Sequence, residues 1–148
     1  MSVTDEAQLP EDDLERRLEF ERLISDLSSR FIALAPGEVD REIEDALRRV
    51  CELLGLDLAV LWQWKAPAPQ AIVPTHTYPA GTDPRAPEPL HEEQYPWYRQ
   101  QMLDGRRIAI SSLEELPPEA GVAREGSRLV GVKSNLCLPL TVGGEPPL

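Results

Sequence analysis

Hydrophobic positions in the first quarter of the chain recur at helical spacing. Five of them are separated by 4, 3, 4 and 3 residues: Phe20, Ile24, Leu27, Phe31 and Leu34. Three further leucines broaden this stripe: Leu14, Leu18 and Leu23. This spacing is typical of a helix that packs along a seam against another helix. It predicts a long helix over residues 13–35, after an acidic, disordered tail over residues 1–12.

The next apolar segments change period. Val39 to Leu54 again has one apolar helical face, and Gly55 stands where a helix C-cap belongs, which predicts a second helix. The run LDLAVLWQW at 56–64 lacks clean alternation and predicts a strand covered on both faces. A second strand is predicted at 71–78, with Pro74 at an edge or a bulge.

Prolines dominate the middle of the chain. Eight of the 15 prolines fall between residues 67 and 96. They predict a long loop from Pro79 to Pro96, and a loop of that length inside a compact domain is often functional. A helix is predicted to begin at Pro96 and to end at Gly105.

The last third of the chain combines short elements. A strand is predicted at 106–110, and Ser111 and Glu114 have the spacing of a capping box. A weaker helix containing two glycines follows. Residues 135–142 predict a last strand, and Gly143-Gly144 predicts a tight turn after it. The order of elements predicts an α+β fold with a mainly antiparallel sheet.

Composition narrows the classes of function. The net charge is −11, from 26 acidic and 15 basic residues, which disfavours nucleic acid and anionic membrane surfaces as partners. The mean hydropathy of −0.34 and the lack of a long apolar run argue against a membrane-inserted protein. The acidic start has no signal-peptide pattern, so we expect a cytoplasmic protein.

Few residues have a pattern that indicates catalysis. The sequence has no glycine-rich phosphate loop, and its two histidines, His76 and His91, are not at metal-ligand spacing. Cys51 falls in a helical pattern and Cys137 in a strand, so both are expected to be reduced core thiols. A Cys–His pair formed only in the fold stays open. We expect no enzymatic activity, no metal and no evident cofactor.

Aromatic residues cluster around the two central strands and the third helix, and they suggest a small-molecule pocket with a histidine as its polar group. The candidate lining residues are Trp62, Trp64, His76, Tyr78 and Trp97. The alternative interpretation, which the frequency of buried aromatic residues favours, is that they form ordinary core.

Taken together, "LGLDLAVLWQW", "YPWYRQQMLDGRRIAISSLEELPPEA" and "GVKSNLCLPLTVGG" resemble a GAF domain. The resemblance covers about residues 18–148 and is strongest to the GAF modules of bacterial sensor proteins. It implies a PAS-like, mainly antiparallel central sheet with helices on both faces and a pocket beside the sheet. It also implies that the last strand and the C-terminal helix of the fold are missing, so that residues 36–148 are the remainder of an incomplete domain. We therefore expect an unpaired strand edge and an uncovered stripe on the first helix.

The resemblance implies a sensory or regulatory module in a two-component or cyclic-dinucleotide signalling protein. Such a module binds a small molecule, forms a homodimer through its first helix, or does both, and relays a signal to a linked histidine kinase or diguanylate cyclase. The nucleotide signature, the bilin cysteine and the loop cysteines of enzymatic GAF proteins are all absent from the sequence, so no ligand is implied. A ligand-free dimerisation spacer and, less favoured, a small GAF-type enzyme are the alternatives.

Overall fold

The computed structural model describes residues 8–65, 71–80 and 90–140. Their four α-helices are α1 (Gln8–Ile32), α2 (Val39–Leu54), α3 (Pro96–Leu103) and α4 (Gly121–Leu129). Their five strands are β1 (Ala59–Trp64), β2 (Ala71–Tyr78), β3 (Leu90–His91), β4 (Ile108–Ile110) and β5 (Asn135–Cys137). The α+β class is confirmed, and β3 and β5 run antiparallel to their neighbours β2 and β4.

The described strands form two small sheets, where the sequence predicted one central sheet. One has the order β1-β2-β3, and the other pairs β4 with β5. β3 pairs with β2 only at Ala71 and Ile72. The sequence predicted an edge or a bulge at Pro74, but β2 is the middle strand of this sheet, so Pro74 does not lie on an edge strand.

The chain divides into two compact units. The first contains the residues up to Ala59 together with His76–Pro79, and the second contains Val60–Thr75 and the residues from Ala80 onward. None of the described helices combines the length and the apolar character needed to cross a bilayer.

The first unit is built on a hairpin of α1 and α2. α1 begins at Gln8, so residues 8–12, predicted as tail, are helical; Pro10 falls in the first turn, where its missing N–H breaks no helical bond. α2 has the predicted bounds, and Gly55 ends it with a left-handed φ of 65°. Leu23 and Cys51 are the buried side chains of this hairpin.

The second unit is organised around a small apolar cluster. Leu113, Leu116 and Ala120 are buried, and three half-buried side chains pack against them: Trp97, Tyr98 and Ile110. The capping box lies one residue later than predicted. Ser112 is the N-cap, and the Glu115 carboxylate accepts from the Ser112 N–H at 3.0 Å. The shift places Leu113 and Leu116 on the inner side of the turn.

Arg124 joins α4 to this turn. Its guanidinium donates to the carbonyl oxygens of Leu113 at 3.1 Å and Pro117 at 3.3 Å, and also to that of Leu116. The Leu113 and Pro117 carbonyls also accept from the backbone N–H groups of Leu116 at 3.2 Å and Ala120 at 3.0 Å, so Arg124 adds a donor to each of these short turns. One side chain therefore supplies donors to three backbone acceptors beside the cluster.

Two further predictions differ from the structure. The predicted loop from Pro79 to Pro96 contains β3 and a short 3-10 turn over Glu92–Gln94, because prolines permit short elements between them. The strand predicted at 135–142 is regular only as far as Cys137, and Pro139 removes a donor just beyond it. The predicted turn at Gly143-Gly144 and residues 1–7 of the predicted tail lie outside the described residues.

Candidate functional site

The seam predicted on α1 is divided between two environments. Leu27 and Leu34 are half-buried, whereas Phe20, Ile24 and Phe31 stay exposed at 41%, 46% and 39% of their surface. Leu23, which the sequence placed at the margin of the stripe, is 7% exposed, the lowest value among residues 11–32 of the helix. Packing against α2 is therefore centred on Leu23, and a row of three large apolar side chains remains uncovered. We call Phe20, Ile24 and Phe31 the α1 row.

Ion pairs set the register of the α1–α2 hairpin. The Arg49 guanidinium donates to Asp26 at 2.6 Å, and Arg30 lies 3.3 Å from Glu42 and 3.8 Å from Asp45. The bond from Arg49 holds the pKa of Asp26 below its usual range. These pairs run antiparallel and place the end of α2 about level with Glu21. The first half of α1 therefore extends past α2.

Two clefts, of about 540 and 560 Å³, lie along this hairpin. Charged residues dominate both linings, including Arg30, Arg48 and Arg49. Each of these arginines is ion-paired to a carboxylate within the hairpin. These three arginines are therefore neutralised by partners within the hairpin, and the 540 Å³ cleft lacks the apolar lining typical of a small-molecule pocket.

The tryptophans of the predicted pocket belong to the second unit. Trp62 and Trp64 are half-buried and point to the same face of β1, because the exposed Gln63 lies between them. The guanidinium carbon of Arg99 lies 6.0 Å from the centre of the Trp64 ring, at the limit of a cation–π contact. Arg99 was not among the predicted residues, although its position two residues after Trp97 on α3 is visible in the sequence.

The third tryptophan stacks within the cluster of the second unit. The Trp97 and Tyr98 rings meet edge to face, with centroids 5.2 Å apart. Burial raises the pKa of Tyr98 to about 12, the nearby Cys137 adds to the rise, and Asn135 opposes it. The Tyr98 hydroxyl therefore stays neutral at physiological pH and is unsuited to act as a base.

His76 and Tyr78 belong to the first unit and have different surroundings. His76 Nε2 lies 3.1 Å from Oδ1 of Asp40, a residue in the first turn of α2. A carboxylate can only accept, so Nε2 carries the proton of this bond. Tyr78 is half-buried at the end of β2. The contact with Asp40 therefore joins His76 to the start of α2 within the first unit.

The two cysteines are free, and the surroundings of both favour the protonated thiol. Burial raises the pKa of the Cys51 thiol, and it raises that of Cys137 to about 11. Cys137 donates to Asn135 Oδ1 at 3.5 Å. A thiolate is the nucleophilic form of cysteine, so both environments disfavour covalent catalysis.

Comparison with protein-family models finds no family that matches the chain, and comparison with curated proteins finds no relative.

Proposed function

We propose that this chain is a regulatory module of the GAF type, part of a cytoplasmic bacterial signalling protein, that self-associates through α1. In this proposal the module has no enzymatic activity. It transmits a change in packing to a covalently linked output domain, such as a histidine kinase or a diguanylate cyclase. In this proposal the finer fold is that of a GAF domain, with a central sheet and helices on both faces.

The α1 row is the observation that carries the proposal. Three large apolar side chains on one side of a 25-residue helix remain about two-fifths exposed. Between Phe20 and Phe31 the row contains no charged position at its own helical spacing. A second α1 helix, packed along the same row, would remove this surface from water and satisfy the heptad spacing. A change of packing at such an interface is a recognised way to pass a signal between domains.

Replacing Phe31 with glutamate tests this interface. We expect Phe31→Glu to weaken self-association at least 100-fold, since each dimer would bury two like charges at the seam. Sedimentation equilibrium over a wide concentration range measures the effect. Ile32→Glu is the matched control, because Ile32 is the neighbouring residue, is 88% exposed and lies off the row. A wild-type chain that stays monomeric at every concentration would overturn the proposal.

A ligand-free spacer is the second candidate. It is favoured by the 540 Å³ cleft on the α1–α2 hairpin, whose lining is mostly charged and includes the ion-paired Arg30 and Arg48. The ligand-binding version instead depends on Trp62, Trp64 and Trp97, with Arg99 beside Trp64 as a cation for an anionic group.

A thermal-shift screen separates these two candidates. A ligand present at 100 times its dissociation constant stabilises the native state by about 2.7 kcal/mol, which raises the unfolding temperature by several degrees. We expect nucleotides, tetrapyrroles or small metabolites to include at least one such ligand, and Trp64→Ala to abolish its effect. A screen with no stabilising compound would support the spacer.

A further inference from the structure

The segment that begins with β5 presents leucine to solvent at every second position. Leu136, Leu138 and Leu140 are 53%, 56% and 59% exposed, while Asn135, Cys137 and Pro139 between them are half-buried. This alternation in exposure is typical of a strand with one face outward, and it continues for three residues past the end of β5 at Cys137. We call these three residues the leucine face. Ala109, opposite Leu136 on β4, is also exposed and extends this face.

This segment also lies at a sheet edge. Among the described residues, β5 pairs with β4 alone, over three residue pairs from Ile110–Asn135 to Ile108–Cys137. Two-stranded sheets are marginally stable in water without further cover. Exposed edges are usually protected by charged side chains, yet no charged residue occurs between Lys133 and Glu145. Pro139 is the one protective residue in the segment.

We propose that the leucine face is a second self-association surface, at which residues 135–140 of two copies pair antiparallel about a two-fold axis at Leu138. The sequence order is what favours a second copy as the occupant. Leucines at 136, 138 and 140 are symmetric about the middle one, so an antiparallel pair sets Leu138 opposite Leu138 and Leu136 opposite Leu140 of the second copy. In a dimer with two-fold symmetry both copies contribute the same surface, so that surface must be complementary to itself. The three alternating leucines meet this requirement.

The antiparallel pair about Leu138 is compatible with Pro139, which has no backbone N–H to donate. When Leu136, Leu138 and Leu140 direct their backbone groups toward the second copy, Pro139 directs its own toward the β4 side. The β4–β5 register ends at Cys137, so Pro139 lies beyond its last pair and breaks no ladder bond. The two copies then form a four-stranded sheet with six leucines on one face. This inference rests on β5 and is independent of the α1 row.

Cross-linking through Leu138→Cys tests the pairing in the full chain. Residues directly opposite in an antiparallel pair have Cβ atoms about 5 Å apart, which is within reach of a disulfide after small adjustments. We expect mild oxidation to yield the disulfide dimer at least 10-fold faster than in Leu129→Cys. Leu129 is 87% exposed and lies outside the strand, so its variant measures random collision. Wild-type chain reports any contribution from Cys51 and Cys137.

Two further measurements separate pairing between copies from the alternatives: amide hydrogen exchange, and cross-linking repeated in the Phe31→Glu variant. We expect the amides of Leu136, Leu138 and Leu140 to become protected as concentration rises, and Leu138→Lys to abolish that protection. Protection that is already present at the lowest concentration would mean that the same chain covers the edge, and it would overturn the inference, as would equal cross-linking rates. Repeating the cross-linking in Phe31→Glu separates this surface from the α1 row, because only the proposed function predicts loss of association there.

Discussion

Arg124→Ala is expected to destabilise the second unit by about 2–3 kcal/mol. Hydrogen bonds from charged donors contribute about 1.5–3 kcal/mol each, but the three at Arg124 share one side chain and are partly solvated, so their contributions do not add. The substitution leaves the carbonyls of Leu113, Leu116 and Pro117 without this donor beside an apolar cluster. The turn would then loosen from α4, and the packing of Leu116 would loosen with it.

Tryptophan fluorescence measures this effect selectively, because all three tryptophans lie in the second unit. We expect the urea midpoint of the fluorescence transition to fall in Arg124→Ala, and Arg124→Lys to lie between the variant and wild type, since an ammonium cannot reach three carbonyls as a guanidinium does. Arg128→Ala is the matched control. Arg128 lies one helical turn further along and pairs with the exposed carboxylates of Glu114 and Glu125, so its replacement should leave the midpoint unchanged. Equal midpoints for Arg124→Ala and Arg128→Ala would contradict the assigned role.

Leu23→Asp is expected to have a still larger effect, of more than about 3 kcal/mol, on the first unit. Removing a buried leucine costs about 2–5 kcal/mol, and the new carboxylate would also lose its hydration against α2. Leu23 is 7% exposed, and α1 has no other side chain so deeply buried among its described residues. The α1–α2 hairpin should therefore separate, while the tryptophan environment of the second unit changes little.

Far-UV circular dichroism follows this hairpin, because α1 and α2 contain 25 and 16 residues against 8 and 9 in α3 and α4. We expect Leu23→Asp to lose much of the helical signal at a temperature where wild type retains it. Leu18→Asp is the control on the same helix, because Leu18 is largely exposed and surface changes are usually within about 0.5 kcal/mol. Similar melting curves for the two variants would show that Leu23 does not hold the hairpin together.

Local signals in the sequence predicted most of the elements. The apolar face from Val39 to Leu54, closed by Gly55, gave the bounds of α2, and the run at 71–78 gave those of β2. Pro96 and Gly105 delimited α3, whose end is followed by a left-handed φ of 68° at Gly105. In these cases the residues that start and stop an element act within a few positions of it, so periodicity and capping residues were sufficient.

Contacts between elements could not be predicted in the same way. Heptad spacing identified an apolar stripe on α1 but could not show that Leu23 faces α2 while Phe31 stays exposed, because that depends on the register of two helices. Arg124 is an ordinary helical arginine in the sequence, and only the fold brings it to the carbonyls at 113–117. The candidate pocket has the same limitation: Trp64 was named from its neighbours in sequence, and its contact with Arg99 depends on how α3 packs.

Because α1 is longer than α2, a small rotation of α1 against α2 would produce a larger movement at the N-terminal end of α1. At 1.5 Å per residue its 25 residues span about 37 Å, and α2 supports only the C-terminal part of that length. With the pivot at the ion pairs that join α1 to α2, Arg30 to Glu42 and Asp26 to Arg49, a tilt of about 5° would move the N-terminal end of α1 by roughly 2–3 Å. A small tilt of α1 against α2 would therefore displace its N-terminal end by as much as helices move at the interfaces of known switching proteins. The size of this displacement depends on the length of α1 that extends past α2. Shortening that part of α1 would reduce the displacement and leave the ion pairs with α2 unchanged.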